Sequence, residues 1–170
     1  LESTGLSAKP SKCSLALPEQ PSLGFIVDAE TRRPDPDKVE CIAAFPEPLT
    51  RTSVQHFLGM VGYYLHFVDG FAKHTHHLRE LTKDTQPHRW SALSKEAKAE
   101  FEWLKGEMMS DRVILHHPDW NSTFYVQTDA CAEGLGAVLT QRVTDPVTGK
   151  VAERPVRFAS RALQAPESKW

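Results

Sequence analysis

The sequence predicts an α+β chain: a short N-terminal β-hairpin, a helical middle, and a C-terminal antiparallel sheet of three strands. Three observations carry that prediction. Phe124, Val126 and Thr128 alternate with Tyr125, Gln127 and Asp129, the period of a strand. The small-residue segment Ala130–Gly136 then allows a reversal, and Ala137–Gln141 can return as an antiparallel partner. Upstream, Val54, Phe57, Leu58, Val61, Leu65 and Val68 recur at helical spacing, as do Ala97, Phe101, Leu104 and Met108.

Composition bounds the classes available. A chain of 170 residues, 40% apolar and 25% charged, suffices for one domain with a substantial core or for two small ones. No apolar run approaches the roughly 20 residues that span a bilayer, and the polar opening is unlike a signal peptide. Cys13, Cys41 and Cys131 are odd in number and lack CxxC spacing. That favours free thiols in a reducing, intracellular compartment over a disulfide framework or a zinc site. A net charge of −2 gives no general attraction to nucleic acid, so any such contact must be local. The chain opens without Met and closes at Pro166–Trp170, where a helix could be starting; both ends read as cut.

In chain order, residues 1–21 predict no long element, and Leu23–Val27 reads as a short strand with Gly24 marking a bulge or close approach. Asp28–Arg33 is a turn into another extended segment. Asp35-Pro36 caps a helix over Asp37–Phe45, which Pro46 and Pro48 end. The next helix runs from Ser53 to about Val68. Its second face carries Gln55, Gly59, Gly62, Tyr63 and His66, and a mid-helix glycine costs about 1 kcal/mol relative to alanine. Two on one face suggest a close neighbour, either another helix or a nucleic-acid groove with Gln55 as hydrogen-bonding side chain and Tyr63 as stacking or sugar contact; simple tolerance of the glycines is the third reading. Gln55 also completes a Thr52-x-x-Gln55 capping box, so both readings stand. Phe71–Leu81 and Lys95–Met109 are further helices, the latter capped by Ser94. Val143–Glu153 is a loop and Val156–Ser160 a third strand. All eight histidines lie between His56 and His117; their spacing fits solvent-exposed side chains better than metal ligands. Asp129, at the end of its strand, reads either as a turn residue or as a catalytic acid.

Several phrases, in order, resemble the reverse transcriptase–RNase H region of gypsy-type LTR retrotransposon polyproteins. They include Pro10-Ser11-Lys12-Cys13, Leu23-Gly24, Arg33-Pro34-Asp35-Pro36-Asp37-Lys38-Val39 and Phe57-Leu58-Gly59-Met60-Val61-Gly62-Tyr63-Tyr64. Trp90-Ser91, Phe101-x-x-Leu104-Lys105, Thr128-Asp129-Ala130, Gly134-Leu135-Gly136-Ala137-Val138-Leu139 and Phe158-Ala159-Ser160-Arg161 complete the set. The resemblance implies the end of a polymerase palm over 1–33, a helical thumb and connection over 34–118, and an incomplete RNase H-like sheet over 119–170. By the same resemblance Leu23, Gly24 and Phe25 form a primer-grip hairpin, and Gln55, Gly59 and Tyr63 track the minor groove of a template–primer duplex. Leu65 and His66 stand where the family carries basic residues.

Asp129 matches the first-strand acid of the RNase H site, where two Mg²⁺ ions serve hydrolysis of the RNA strand of an RNA–DNA hybrid. One aspartate is too little to hold a metal pair. The expectation is therefore a polyprotein segment whose parent carries out RNA-directed DNA polymerisation and hybrid cleavage. The chain alone would be catalytically incomplete and bind no metal tightly. Its partners would be hybrid or template–primer duplex and the rest of the polyprotein, with no membrane, in a cytoplasmic particle or the nucleus. The alternatives are a non-catalytic nucleic-acid-binding module or a host-retained interaction scaffold. The C-terminal strands are expected to be marginal, with an open apolar face and an unpaired edge.

Overall fold

A two-residue turn starts the architecture. In the computed structural model, Leu23 (φ 49°) and Gly24 (φ 81°) both take positive φ, the geometry of a type I′ turn, and join β1 (Glu19–Ser22) to β2 (Phe25–Asp28). The strand expected over Leu23–Val27 is thus a turn followed by a strand. Residues 5, 9, 13–14, 16–132, 134–144, 148–163 and 167 are described. Pro10–Lys12, Pro146 and the helix start around Pro166–Trp170 (Glu167 apart) lie outside them.

The extended segment after Asp28 forms β3 (Thr31–Pro34), antiparallel to β2. Asp28 builds the intervening turn: its carboxylate accepts from Glu30 N at 2.7 Å, Thr31 N at 2.6 Å and Thr31 Oγ1 at 2.7 Å. Asp35 then caps α1 (Pro36–Ala43), with its side chain accepting from Asp37 N. A fourth strand, β4 (Leu115–His116), comes from the far side of the helical region and pairs with β3, which the sequence did not signal. At two residues it is too short for alternation to show.

α2 (Arg51–Gly62) ends earlier than its apolar stripe suggests. Tyr63 and Tyr64 leave the helix and aim at β2, and the rest of the stripe continues in a 3₁₀ turn, Leu65–Phe67. The capping box also differs. Thr50 and Ser53 exchange hydrogen bonds as N-cap and N3, in place of Thr52 and Gln55. Beyond it, Phe71–Leu81 divides into a 3₁₀ turn, Lys73–Thr75, and α3 (His76–Glu80). α4 (Lys95–Met108) is capped by Ser94 as expected. Val54, Phe57 and Val61 of α2 pack on Phe101 and Leu104 of α4, with the Phe57 and Phe101 rings 4.6 Å apart. Burying two such rings contributes several kcal/mol to the core.

The histidines divide: His56, His77, His88 and His117 are exposed, as expected, whereas His66, His74, His76 and His116 are half-buried. The His74 ring stacks on Trp103 at 3.6 Å, and burial holds its pKa below the ordinary value. Glu100 accepts from His77 N, Leu78 N and His77 Nδ1, fixing the start of α3. Among the described residues, no three His, Cys, Asp or Glu side chains gather into a metal-binding group.

The second sheet holds β5 (Phe124–Ala130), β6 (Gly134–Thr144) and β7 (Val151–Ala162), all antiparallel. β6 and β7 run further than expected and take up most of the Val143–Glu153 loop. The sheet is not free-standing. Ser160 Oγ accepts from Ala72 N at 3.0 Å, and the His66 ring bonds the Phe158 carbonyl at 3.1 Å. Gly134 permits this closeness: a Cβ there would sit 2.8 Å from the Arg161 carbonyl oxygen and 3.4 Å from Ala72. The other expectation holds in part, since Val126 stays 65% exposed on the outer strand.

The hydrogen bonds to Asp28 hold its pKa down to about 2, from an ordinary 3.8. A depressed carboxylate contributes stability in full above the unfolded value and loses it as pH falls through the folded one. Urea titrations between about pH 4 and pH 2 should therefore show a declining midpoint in the native chain, with a shallower decline in Asp28→Asn. Equal slopes would remove Asp28 as the cause.

Candidate nucleic-acid interface

The candidate residues fall into two groups. Leu23, Gly24, Phe25 and Tyr63 meet at one place, and Gln55 and Gly59 continue from it along α2. The meeting point is built from two neighbouring tyrosines. Tyr63 Oη donates to the Leu23 carbonyl at 2.5 Å, and Tyr64 Oη donates to the Gly24 carbonyl at 3.0 Å. Asp35 N also bonds the Gly24 carbonyl, at 3.1 Å. Both carbonyls of the turn are thereby tied to the helical region.

Phe25 completes the joint. Its ring stacks on Tyr63 at 5.2 Å and on Phe67 at 5.4 Å, and meets Tyr64 edge-on at 5.5 Å. Burial pushes the Tyr64 pKa up, so that hydroxyl stays a donor. Leu23 sits at the tip with 85% of its surface exposed, in a conformation that costs a non-glycine residue about 1–2 kcal/mol. An exposed apolar side chain on a strained turn has no use in the core.

Gln55, Gly59 and Tyr63 are all exposed on one face of α2. The glycines here were expected to have a close neighbour. Among the described residues they have none: a Cβ at Gly59 or Gly62 would meet nothing within 4 Å. The face is a smooth, open strip of backbone running to the Leu23–Gly24 tip. Among the described residues nothing packs against these two positions, which removes a covering helix as their explanation and leaves a groove or simple tolerance. Below the strip, Lys38, Cys41, Ile42, His56 and Met60 line a shallow apolar hollow. That hollow could not be foreseen, because these residues come from two helices with no shared period.

Asp129 lies apart from this strip. It pairs in register with Gly136 on β6, which in turn pairs with Ser160 on β7. Its Oδ1 accepts from Ala130 N at 2.9 Å, the bond of a strand-end residue. The side chain borders a cavity of ≈ 310 Å³ that Asp69, Lys73 and His74 close from the helical side. A hard divalent ion takes about six oxygen ligands, several of them carboxylate. Among the described residues no such donor set surrounds Asp129, so they do not fit a metal pair by themselves.

Comparison with known proteins follows these lines. A family model described as an RNase H-like domain found in reverse transcriptase matches residues 93–170. The Pol polyprotein of the gypsy transposon of Drosophila melanogaster is 33% identical over 156 residues, covering 87% of this chain and 14% of the polyprotein. That of transposon 297 from the same organism is 33% identical over 168 residues, covering 96% and 14%. An uncharacterized mitochondrial protein of Arabidopsis thaliana is 32% identical over 138 residues, covering 73% of this chain and 84% of that protein. Among solved structures, the foamy viral protease–reverse transcriptase with RNA/DNA hybrid superposes with a TM-score of 0.69 at 20% identity. It covers 94% of this chain and 20% of that one. The same viral protein with dsDNA gives a TM-score of 0.70, also at 20% identity, covering 94% and 31%. The fold is therefore shared, and the chain spans about a seventh of the curated transposon polyproteins it matches.

Because nothing in the chain abuts Gly59 or Gly62, alanine at either position should raise helix stability by about 0.5–1 kcal/mol. Chemical denaturation measures this directly. A loss of stability in both variants would mean that the strip is covered in solution.

Proposed function

The chain belongs to the reverse transcriptase–RNase H region of gypsy-type retrotransposon Pol polyproteins, and from that premise we propose that it is a duplex-holding segment of such a polymerase. In this reading residues 1–33 end the palm, 34–118 form the thumb and connection, and 119–170 begin the RNase H-like domain. The parent would carry out RNA-directed DNA synthesis and cleave the RNA of the resulting hybrid. This segment would seat the template–primer.

One observation carries the proposal: the glycine strip of α2 is bare and leads directly to a tip that two tyrosine hydroxyls hold in place. A duplex backbone needs close approach along a smooth surface, and Gly59 and Gly62 provide it. Gln55 would donate to groove or sugar oxygens. Tyr63 would present its exposed ring edge, since its hydroxyl is engaged with Leu23. Leu23 would bear on the primer end. The structure neighbours in complex with RNA/DNA hybrid and dsDNA favour this partner class.

Asp129 is proposed as one acid of the parent's RNase H site. RNase H-like domains of Pol polyproteins generally use divalent metals, and Mg²⁺ would belong to the complete enzyme. The described residues do not cage such an ion by themselves, so the remaining ligands would come from elsewhere in the parent. As a cytoplasmic-particle or nuclear component the segment would act within its polyprotein. Among the described residues no helix is long and apolar enough to cross a membrane.

Two measurements test the reading. Fluorescence anisotropy with a labelled RNA–DNA hybrid should show binding that weakens as salt rises, because phosphate contacts release counterions. Gly59→Leu and Tyr63→Ala should each weaken it about tenfold or more; hybrid binding indifferent to both would sink the α2 assignment. Separately, the isolated chain should not cleave the hybrid with Mg²⁺ or Mn²⁺. Cleavage lost in Asp129→Asn would refute its incompleteness.

A further inference from the structure

A second surface, further along the same face of β2 and β3 that carries Phe25, has a different chemistry. Where β3 and β4 face β5–β7, the chain leaves a hollow of ≈ 620 Å³. Arg32, His116, Trp120, Phe124, Leu139 and Arg157 are among its walls, and among the described residues no carboxylate lines it. The acids of the adjoining turns are already engaged. Asp28 accepts three hydrogen bonds from its own turn, and Asp119 accepts from Asn121 N and Ser122 Oγ. Glu30 pairs with Arg154 at 3.7 Å.

The two guanidinium groups are held without being neutralised. Arg32 lies over the Phe67 ring at 5.4 Å. Arg157 bonds His66 Nε2 at 2.7 Å. Arginine can only donate, so Nε2 accepts, and the ring's proton sits on Nδ1, facing the Phe158 carbonyl at 3.1 Å. Among the described residues neither arginine has a carboxylate partner. Each is positioned by an uncharged ring, with its charge left for something outside the chain.

The aromatic part of the hollow is equally unfinished. Trp120 is 80% exposed, and its ring stands 5.8 Å from Phe124. At the wall, His116 Nδ1 is buried with no hydrogen-bond partner among the described residues. Burial and Arg154 keep the His116 pKa below its ordinary value, so the ring is neutral near pH 7.

We propose that this hollow takes one unstacked nucleotide of a single-stranded nucleic acid. Its base lies against the Trp120 and Phe124 rings, and its phosphate lies between Arg32 and Arg157. Aromatic stacking beside basic side chains is how single strands are held without sequence preference, because every base has a π-face. A duplex cannot supply this ligand, since its bases are stacked on one another. The site is independent of the α2 strip and does not rest on the duplex reading.

The test uses the full chain and a short fluorescein-labelled oligothymidylate. Binding should weaken with salt, and Trp120→Ala and Arg32→Gln should each reduce affinity about tenfold or more. Trp120→Phe should restore most of it. Gly59→Leu should leave it unchanged, so the two surfaces separate. Trp120 is exposed, and circular dichroism of the alanine variant should match the native chain. Undetectable oligothymidylate binding would overturn the proposal, as would an affinity indifferent to Trp120→Ala. So would equal displacement by polyglutamate, which marks a general anion site, or a parallel loss of hybrid binding in Trp120→Ala.

Discussion

The arrangement depends on two adjacent hydroxyls. Tyr63 and Tyr64 reach from the end of α2 to consecutive carbonyls of one turn. A type I′ hairpin alone is marginal in water. Here its tip is bonded from the helix side while Phe25 is clasped among three rings. Each hydrogen bond contributes about 1 kcal/mol net, and the aromatic pairs a similar amount each. That is enough to offset the strain of Leu23 and to fix the angle between the first sheet and α2. The open glycine strip and the hairpin tip form one surface for this reason.

The same economy shows in the second sheet. Three strands with an exposed outer edge would separate easily, yet β7 is stitched to the helical region by Ser160, Phe158 and Arg157. His66 makes two of these stitches at once, through Nδ1 to the Phe158 carbonyl and through Nε2 to Arg157. Arg157 and Arg32 bring positive charge to the neighbouring hollow.

Much of this was legible beforehand, and the misses have physical causes. α1, α4 and the β5–β6 pair follow from Asp35, Ser94 and strict alternation, which are local signals. The end of α2 was misplaced because Leu65 and Val68 keep helical spacing while the backbone departs at Tyr63. Tertiary bonds from the tyrosine hydroxyls override the pattern there, and no window of sequence contains both partners. β4 and the histidine contacts failed for the same reason. His74 finds Trp103, and Leu115 finds Arg32, only once the helices have folded back. At the first candidate surface the residue identities could be read; those of the second hollow could not. Gln55, Gly59 and Tyr63 announce themselves by period, whereas Arg32, His116 and Trp120 come from separate segments.

The pairing of β3 with β4 fixes an order of events. Its two strands flank the entire helical region, so closing it means closing a very long loop. That entropy is recovered only after α1, α2 and α4 have collapsed on Phe57 and Phe101. On a ribosome the early hairpin must wait for the helices to emerge, its outer strand uncovered meanwhile. The nascent chain is thus most open to wrong strand pairing in that interval, before Leu115 arrives to close the edge.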